Sequence, residues 1–251
     1  MKKLIIAILT GLMSASGWSA CTYNFDVTQA EFNTVNNNPD LELFPNRTNQ
    51  RLSFNLIAGN PPAPKTWYMY TGSSSAFALD NSKGDKNVIS NGIFAFEYKL
   101  KVPINNLTDG MLGIFPAGSL SKLQNGEQFD TAFYYVNSPL SNSFSLSIGY
   151  GPDAKVKTFS PINTADGYQR IGIYVNQNSK QAGLMINGVN YGYLYNLTDK
   201  IQNIGYVFSA AFQKIKSSDA NQEVSFELVT DATKMTQTYP TGTKDICGNT
   251  I

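Results

Sequence analysis

Apolar and polar residues alternate along much of this chain with the two-residue period of half-buried β-strands. The clearest stretch covers residues 168–194, where an alternating strand leads through a polar turn into a second strand. That second strand ends at Asn187-Gly188, a dipeptide that favours a tight hairpin because both residues tolerate positive φ. A third strand follows directly. The pattern therefore predicts an antiparallel meander.

Similar alternation elsewhere predicts about a dozen strands in all. Residues 111–115 are apolar throughout, which predicts a strand buried on both sides, and residues 116–127 form a long polar excursion. Only short helices are predicted, at residues 29–33 and near residues 199–202, because no ten-residue segment keeps a 3.6-residue apolar period. The other predicted strands cover residues 22–28, 51–56, 67–70, 94–102, 131–136, 143–150, 204–212 and 224–229.

Strands with one apolar face bury it against another such face. We therefore expect an all-β fold in which two antiparallel sheets pack as a sandwich. No linker, repeat or low-complexity tract interrupts the pattern, so residues 21–251 are predicted to form a single domain.

The first twenty residues have the features of an export signal. Met1-Lys2-Lys3 is positively charged, residues 4–13 are apolar, and small residues follow. The apolar run is too short to span a bilayer of about 30 Å. We expect a signal peptide at residues 1–20, cleaved after residue 17, 19 or 20, and a mature protein in the periplasm, at the outer-membrane surface or outside the cell. No transmembrane segment is expected in that mature chain.

Charge and composition exclude several classes of function. Once Lys2 and Lys3 are removed, basic and acidic residues nearly balance, which argues against capture of nucleic acid or anionic membrane. The chain contains no histidine, so Ser-His-Asp and Cys-His catalysis are excluded and the commonest transition-metal ligand is missing. We expect no cofactor and no metal.

Two cysteines remain after the signal, Cys21 and Cys247. In an oxidising compartment they are predicted to form a disulfide that places both chain ends side by side. The closed loop would contribute up to about 5 kcal/mol in the chain-entropy model. The alternative is a Cys21 that is free or acylated as in a lipoprotein, with Cys247 unpaired.

The meander resembles the concanavalin-like jelly roll of legume-type lectins, laminin-G-like modules and several glycan-active enzymes. The resemblance is carried by Tyr168, by Ile171, Ile173 and Val175, and by Leu184-x-Ile186-Asn187-Gly188. It implies a fold that hosts binders and enzymes alike. The whole chain, from its Cys-Thr-Tyr-Asn-Phe-Asp start to its Ile-Cys-Gly end, also resembles an uncharacterised family of secreted Gram-negative bacterial proteins.

The acidic residues are weak candidates for a catalytic or a calcium-binding site. Glu223 and Glu227 share a strand face, but four strand residues span about 13 Å, more than the spacing of glycosidase carboxylates. We interpret them as solvated charges and predict no catalytic residue. The segment at residues 80–85 offers only Asp80 and Asp85 as carboxylates for calcium, and its lysines oppose a cation. Glycosylation sequons occur at Asn46, Asn106 and Asn196. Three matches are expected by chance in a chain rich in Asn and Thr, so they do not indicate glycosylation.

Aromatic residues are the better candidates, because sugar rings stack on them. The predicted ligand-binding residues are Trp67, Tyr68, Tyr70, Tyr191, Tyr193 and Tyr195, with Tyr134 and Tyr135 as further members of the set. Strand alternation predicts that Tyr191, Tyr193 and Tyr195 share one face. The alternative is that these aromatic side chains simply fill the core.

These observations predict an exported, non-catalytic binding protein for carbohydrate or a cell-surface partner. The alternative is a structural, fimbria-like component of the envelope. A glycan-cleaving enzyme is the least favoured class, because the carboxylate spacing is missing.

Overall fold

A computed structural model describes residues 21–23, 25, 28–35, 41–59, 64–70 and 86–251. The predicted signal peptide and the acidic segment at residues 80–85 lie outside these residues. The described chain contains one α-helix, α1 (Gln29–Val35). Its strands are β1 (Leu41–Leu43), β2 (Asn46–Thr48), β3 (Arg51–Asn55), β4 (Lys65–Tyr70), β5 (Lys86–Asn87), β6 (Ile93–Lys101), β7 (Met111–Leu123), β8 (Gln128–Ser138), β9 (Ser141–Ile148), β10 (Lys155–Phe159), β11 (Tyr168–Asn176), β12 (Gln181–Ile186), β13 (Val189–Asn196), β14 (Ile201–Gln213), β15 (Glu223–Val229) and β16 (Thr243–Asp245).

The strands form two sheets in which most neighbours run antiparallel. The first sheet has the order β1-β4-β14-β7-β8-β9-β10, with β5 paired to β14. The second has the order β13-β12-β11-β6-β15-β3-β2, with β16 paired to β6. One continuous core lies between the sheets, lined by Phe96 and Ile173 from the second sheet and Phe133 and Phe208 from the first. The predicted all-β, two-sheet sandwich is confirmed.

The meander that organises the sequence pattern forms β11, β12 and β13. Ile173 pairs with Leu184 across β11 and β12, and Ile186 pairs with Val189 across the Asn-Gly turn. Asn187 and Gly188 have φ values of 47° and 84°, the left-handed conformation that this turn requires. The Asn187 side chain also accepts a hydrogen bond of 2.7 Å from the Arg170 backbone N–H, which fixes the turn against β11.

Serines on its buried face explain why β7 is longer than the sequence predicts. Residues 116–127 were expected to be a polar excursion, but β7 continues to Leu123. Ser119 and Ser121 occupy inward positions and are buried, and the Ser119 hydroxyl is 2.7 Å from that of Thr131. This hydrogen bond lets Ser119 take an inward position that an alternation rule assigns to an apolar residue.

Two further segments differ from the prediction. The short helix expected near residues 199–202 is absent from the described chain, because β14 begins at Ile201 and pairs with Leu123. The strand expected at residues 22–28 does not form in its described part, where the Tyr23 N–H bonds the Gln50 side chain and the Phe25 N–H bonds the Asn49 carbonyl. The helix expected at residues 29–33 is confirmed as α1.

Cys21 and Cys247 form the predicted disulfide, with their Cα atoms 5.7 Å apart. The bond holds the N-terminal segment against the sandwich, where the Tyr23 and Phe25 rings pack edge-on against Tyr206 and Phe208. Because the Cys21 thiol is used in this bond, the acylated alternative does not hold for this structure.

We expect replacement of both cysteines by serine to lower the free energy of unfolding by about 3 kcal/mol, because the unfolded chain loses a crosslink over 226 residues. Urea unfolding followed by tryptophan fluorescence measures this, since Trp67 is buried beside Phe54 and Phe212. The oxidised and dithiothreitol-reduced wild type provide the control pair. Equal midpoints for the two forms would show that the bond contributes nothing.

The C-terminal segment at residues 231–240 crosses the outer side of the second sheet and is anchored on Glu97. The Glu97 carboxylate is fully buried. It accepts hydrogen bonds from both the N–H and hydroxyl of Thr236 and from the Gln237 N–H, each 2.9 Å long. The Tyr239 hydroxyl donates a fourth, of 3.2 Å. Burial, and then the charge of Glu97, raise the pKa of Tyr239 well above its ordinary value, so Tyr239 stays a donor.

We expect Glu97→Ala to lower the free energy of unfolding by about 3 kcal/mol, because several buried donors lose their acceptor. Glu227→Gln is the matched control, since Glu227 lies on the same side of the sheet in a partly exposed ion pair of 3.0 Å with Lys99. It is expected to cost less than about 1 kcal/mol. The same urea titration compares the two variants, and similar losses for both would contradict an anchoring role for Glu97.

Candidate functional site

The outer side of the second sheet is occupied by the C-terminal segment and by paired charges. Glu223 bonds both Arg51 and Lys101, and Glu227 bonds Lys99. These cations lower the pKa of Glu223 although its partial burial opposes the shift. The two glutamates are therefore committed to ion pairs, in agreement with their interpretation as surface charges.

Three predicted ligand-binding residues lie on β4 and are buried. Trp67 points into the core, where its ring is 4.4 Å from that of Phe54. Tyr68 and Tyr70 point to the outer side of the first sheet, but Phe32 of α1 packs over both rings, at 6.3 and 6.2 Å. All three have less than a tenth of their surface exposed, so in this structure they offer little area to a ligand.

The three tyrosines of β13 do not share a face, contrary to the prediction. Tyr193 pairs with Gly183 on the outer side and contacts Tyr174 at 5.1 Å. Tyr191 and Tyr195 pack against the main core, and Tyr195 lies 5.7 Å from Phe129. Register shifts against β12 cause the difference, because an extra residue in one strand reverses the side on which the next side chains project.

The outer side of β7, β8, β9 and β10 is accessible, and we call it the open face. Phe115 and Tyr134 project from it, each 44% exposed. The register pairs Ile114 with Tyr135 and Ala117 with Phe133, so a bulge sets Phe115 opposite Tyr134. In such a bulge two residues of one strand face one residue of its partner. The open face therefore carries two exposed aromatic residues at neighbouring strand positions.

Contacts behind the open face hold Phe115 in place. The Ser209 hydroxyl of β14 donates a hydrogen bond to the Phe115 carbonyl, and Tyr68 is hydrogen-bonded to Ser209. Gly113 precedes Phe115 on the same side, and a Cβ atom there would overlap the Phe115 ring. The absent side chain at Gly113 lets the ring lie back over the sheet.

Hydroxyl groups line the face beside the aromatic pair. Ser143, Ser145 and Ser147 of β9 pair with outward positions of β8, and Ser145 is directly opposite Tyr134. All three serines are partly exposed. Hydroxyls that both donate and accept, next to aromatic rings, suit the mixed apolar and hydroxyl surface of a sugar.

Asp130 projects from β8 on the same face and has a perturbed carboxyl group. Gln128 donates a hydrogen bond of 2.6 Å to its Oδ2 atom, whereas Oδ1 is buried without a hydrogen-bond partner in the described structure. Burial raises the pKa of Asp130 to about 6, against the opposing bonds from Gln128 and the Ser121 backbone. A desolvated carboxyl on an accessible face is typical of proton-transfer sites.

Sequence reasoning missed Phe115 and Asp130 but included Tyr134. Residues 111–115 were expected to be buried on both sides, yet Phe115 is exposed, because Leu112 and Ile114 point into the core and alternation leaves Phe115 on the accessible outer side. Asp130 follows Phe129 at the start of an alternating strand, and its outward position was available from that alternation. Its burial was not, because this depends on neighbouring strands.

The other features that were considered, a cluster of possible metal ligands and membrane-spanning helices, do not give a functional site. In the part of the chain that the structure describes, Cys21, Asp245 and Cys247 come close enough to ligate a metal, but both sulfurs are in the disulfide. Among those residues no helix is both long and apolar enough to cross a membrane.

The two packed, largely antiparallel sheets make this fold an all-β jelly-roll sandwich. The chain is similar to several solved structures at low identity. An alginate lyase from Zobellia galactanivorans matches with 13% identity and a TM-score of 0.35, over 64% of this chain and 74% of that chain. An endo-1,3-β-glucanase from Streptomyces sioyaensis matches with 10% identity and a TM-score of 0.44, over 71% and 74%. A GH16 protein of a Bacteroides ovatus mixed-linkage glucan locus matches with 13% identity and a TM-score of 0.40, over 71% and 77%.

A family model matches residues 3–249, and the chain belongs to that family, described as a domain of unknown function, DUF4882. No curated protein matches it significantly. The structures that share its fold are named as glycan-cleaving enzymes, which contradicts the prediction of a non-catalytic binding protein or an envelope component. That prediction is withdrawn.

Proposed function

We propose that this protein cleaves carbohydrate on its open face, with Asp130 as the general acid that protonates the leaving glycosidic oxygen. The observation that carries the proposal is the placement of a desolvated carboxyl on the same accessible face as Phe115 and Tyr134. Stacking on the two rings and hydrogen bonds to the serines of β9 would orient the glycan.

Asp130 suits the role of an acid. A carboxyl whose pKa is raised to about 6 keeps its proton at mildly acidic pH, where an ordinary aspartate is already ionised, and can donate that proton there. On β8, Asp130 and Tyr134 are four residues apart, about 13 Å along the strand. The aromatic pair would therefore hold sugar units some distance from the bond that is cleaved, as in a site that accommodates several sugars.

The described strands of the open face supply one carboxyl group and no second carboxylate. Hydrolysis by two carboxylates requires a partner within about 10 Å. Among the carboxylates of the described strands only Asp130 lies on the open face; Glu97, Glu223 and Glu227 lie on the outer side of the other sheet. In hydrolysis, water adds to the anomeric carbon as the glycosidic C–O bond breaks, Asp130 gives its proton to the leaving oxygen, and the proton of the added water passes to solvent. In elimination, a carbon-bound proton of the sugar passes to solvent as the C–O bond breaks and a C=C bond forms, and Asp130 again protonates the leaving oxygen.

The test is a panel of soluble polysaccharides incubated with purified protein. Release of reducing ends reports cleavage, and ultraviolet absorbance of an unsaturated product separates elimination from hydrolysis. We expect reducing ends from at least one polysaccharide, at a rate that falls in Asp130→Asn. Cleavage that is unchanged in that variant would refute the assignment of Asp130.

Export remains part of the proposal. Support comes from the signal-like residues 1–20 and from a disulfide, which persists in oxidising compartments. Intact mass of the protein recovered from the periplasm and medium of a Gram-negative host tests it. A mature chain starting after residue 17, 19 or 20 is expected, whereas full-length protein confined to the cytoplasm would contradict export. A cell-surface partner is not part of the proposal.

A further inference from the structure

We infer that the open face takes a neutral glycan, one without uronate or sulfate groups. The inference rests on the proposed function and narrows its substrate class. It follows from where the charged side chains of the described structure lie.

The centre of the open face is uncharged. Around Tyr134, the outward positions of β8 are Ala132 and Val136, and the paired positions of β9 are serines. On β7 the neighbouring positions are Phe115 and Gly118. An anionic sugar seated here would give up hydration without gaining a cationic partner, which is costly. Hydroxyl groups of a neutral sugar have partners in the serines.

The charged groups of this face lie toward one end. Among its described residues they are Asp130 and Lys122, and Lys122 pairs with Gln128. Gln128 and Tyr134 are six residues apart on β8, about 20 Å along the strand. Lys122 is therefore too far away to neutralise a carboxylate held at the aromatic pair. Asp130, which lies closer, would repel one whenever it is ionised.

Basic residues elsewhere are directed away from this face. Arg51, Lys99 and Lys101 lie on the outer side of the second sheet in ion pairs with Glu223 and Glu227. On β10, Lys157 pairs with the inward residue Leu146, and its Nζ lies 4.5 Å from the centre of the Tyr191 ring. These four cations are thus directed away from a ligand on the open face.

The experiment compares two oligosaccharides of equal length, a neutral gluco-oligosaccharide and an alginate oligosaccharide, by calorimetric titration into Asp130→Asn protein. This variant allows binding to be measured without cleavage. We expect the neutral ligand to bind at least tenfold more tightly, with little change between low and high salt. The polysaccharide panel should show the same preference in cleavage by the wild type.

A charge-insertion pair sharpens the comparison. Ser145→Lys places a cation opposite Tyr134, and we expect it to improve alginate binding severalfold. Val156→Lys adds a cation to the same face on β10, at a residue that is 64% exposed, and serves as the second variant if Ser145→Lys folds poorly. Ser90→Lys adds the same charge at an exposed residue outside the strands and is expected to change nothing.

The outcomes separate this inference from the proposed function. Tight, salt-sensitive alginate binding that is lost in Lys122→Gln, together with Asp130-dependent cleavage of alginate, would overturn the neutral preference and leave the proposed function standing. Cleavage of no polysaccharide and binding of neither oligosaccharide would overturn the proposed function and this inference with it.

Discussion

Asp130→Asn is expected to reduce glycan cleavage by about 10²- to 10⁴-fold, the usual contribution of a general acid. Asparagine keeps the size of the side chain and a hydrogen-bond acceptor for Gln128 but cannot donate an acidic proton. Because burial raises the pKa of Asp130 to about 6, the wild-type rate should fall as pH rises above that value. A pH profile of kcat/KM for the wild type measures this decrease above pH 6.

The same substitution is expected to stabilise the fold at neutral pH. The folded-state pKa of Asp130 is raised from 3.8 to about 6. The folded state therefore binds more protons than the unfolded state between these values, and wild-type stability is lost as pH rises through the window. The amide of the Asp130→Asn variant does not ionise and has no such penalty. The variant should therefore be more stable by about 1–2 kcal/mol at pH 7.5 and equal near pH 3.5.

Asp153→Asn is the matched control for both measurements, because Asp153 is an exposed carboxyl just beyond β9. Neither the cleavage rate nor the stability should change in that variant. A gain in stability for Asp130→Asn without any loss of activity would identify Asp130 as a strained structural residue and remove it from the proposed mechanism.

Phe115→Ala combined with Tyr134→Ala is expected to weaken glycan binding by about 10- to 100-fold. Each exposed ring offers a stacking surface, and stacking on an aromatic side chain contributes about 0.5–1.5 kcal/mol. The loss should be seen mainly in KM if the rings hold sugars away from the cleaved bond. Stability should change little, because both side chains project from the sheet rather than fill the core.

Two controls define the site. Leu140→Ala removes a 96% exposed apolar side chain from the turn between β8 and β9 and should leave KM unchanged. Tyr193→Ala tests the sequence-based ligand site, because Tyr193 is exposed on the other sheet. If Tyr193→Ala weakened binding while Phe115→Ala and Tyr134→Ala did not, the site would lie on β13 and the open face would lose its assignment.

The buried aromatics show why the first selection of site residues differed from the structure. Trp67, Tyr68 and Tyr70 are conspicuous in the sequence, yet Trp67 fills the core and α1 covers the other two. Aromatic residues are favoured both in strands and in binding sites, so residue type alone does not separate the two uses. Tyr134 was included among the candidates, but only its exposed position distinguishes it from the buried Tyr135.

Local pattern determined much of the fold. Alternation defined the strands of the meander, Asn187-Gly188 defined its turn, and the presence of two cysteines in a chain with a signal-like start predicted the disulfide. The strands and the turn depend on residues close in sequence, and the disulfide follows because two cysteines allow only one intrachain pairing. What alternation did not reveal were departures from regular register, such as the bulge that sets Phe115 opposite Tyr134 and the shifts that separate Tyr193 from Tyr191.

The sequence by itself determined that this is an all-β sandwich whose N-terminal and C-terminal segments are linked by a disulfide. Strand periodicity and the number of cysteines can both be read directly from the sequence. Only the tertiary structure decided which face is accessible and which carboxyl is desolvated. The outer side of the second sheet is covered by the C-terminal segment on Glu97, and Asp130 is shielded by neighbouring strands. Exposure and desolvation arise from residues distant in sequence, so they exist only once the sheets have assembled.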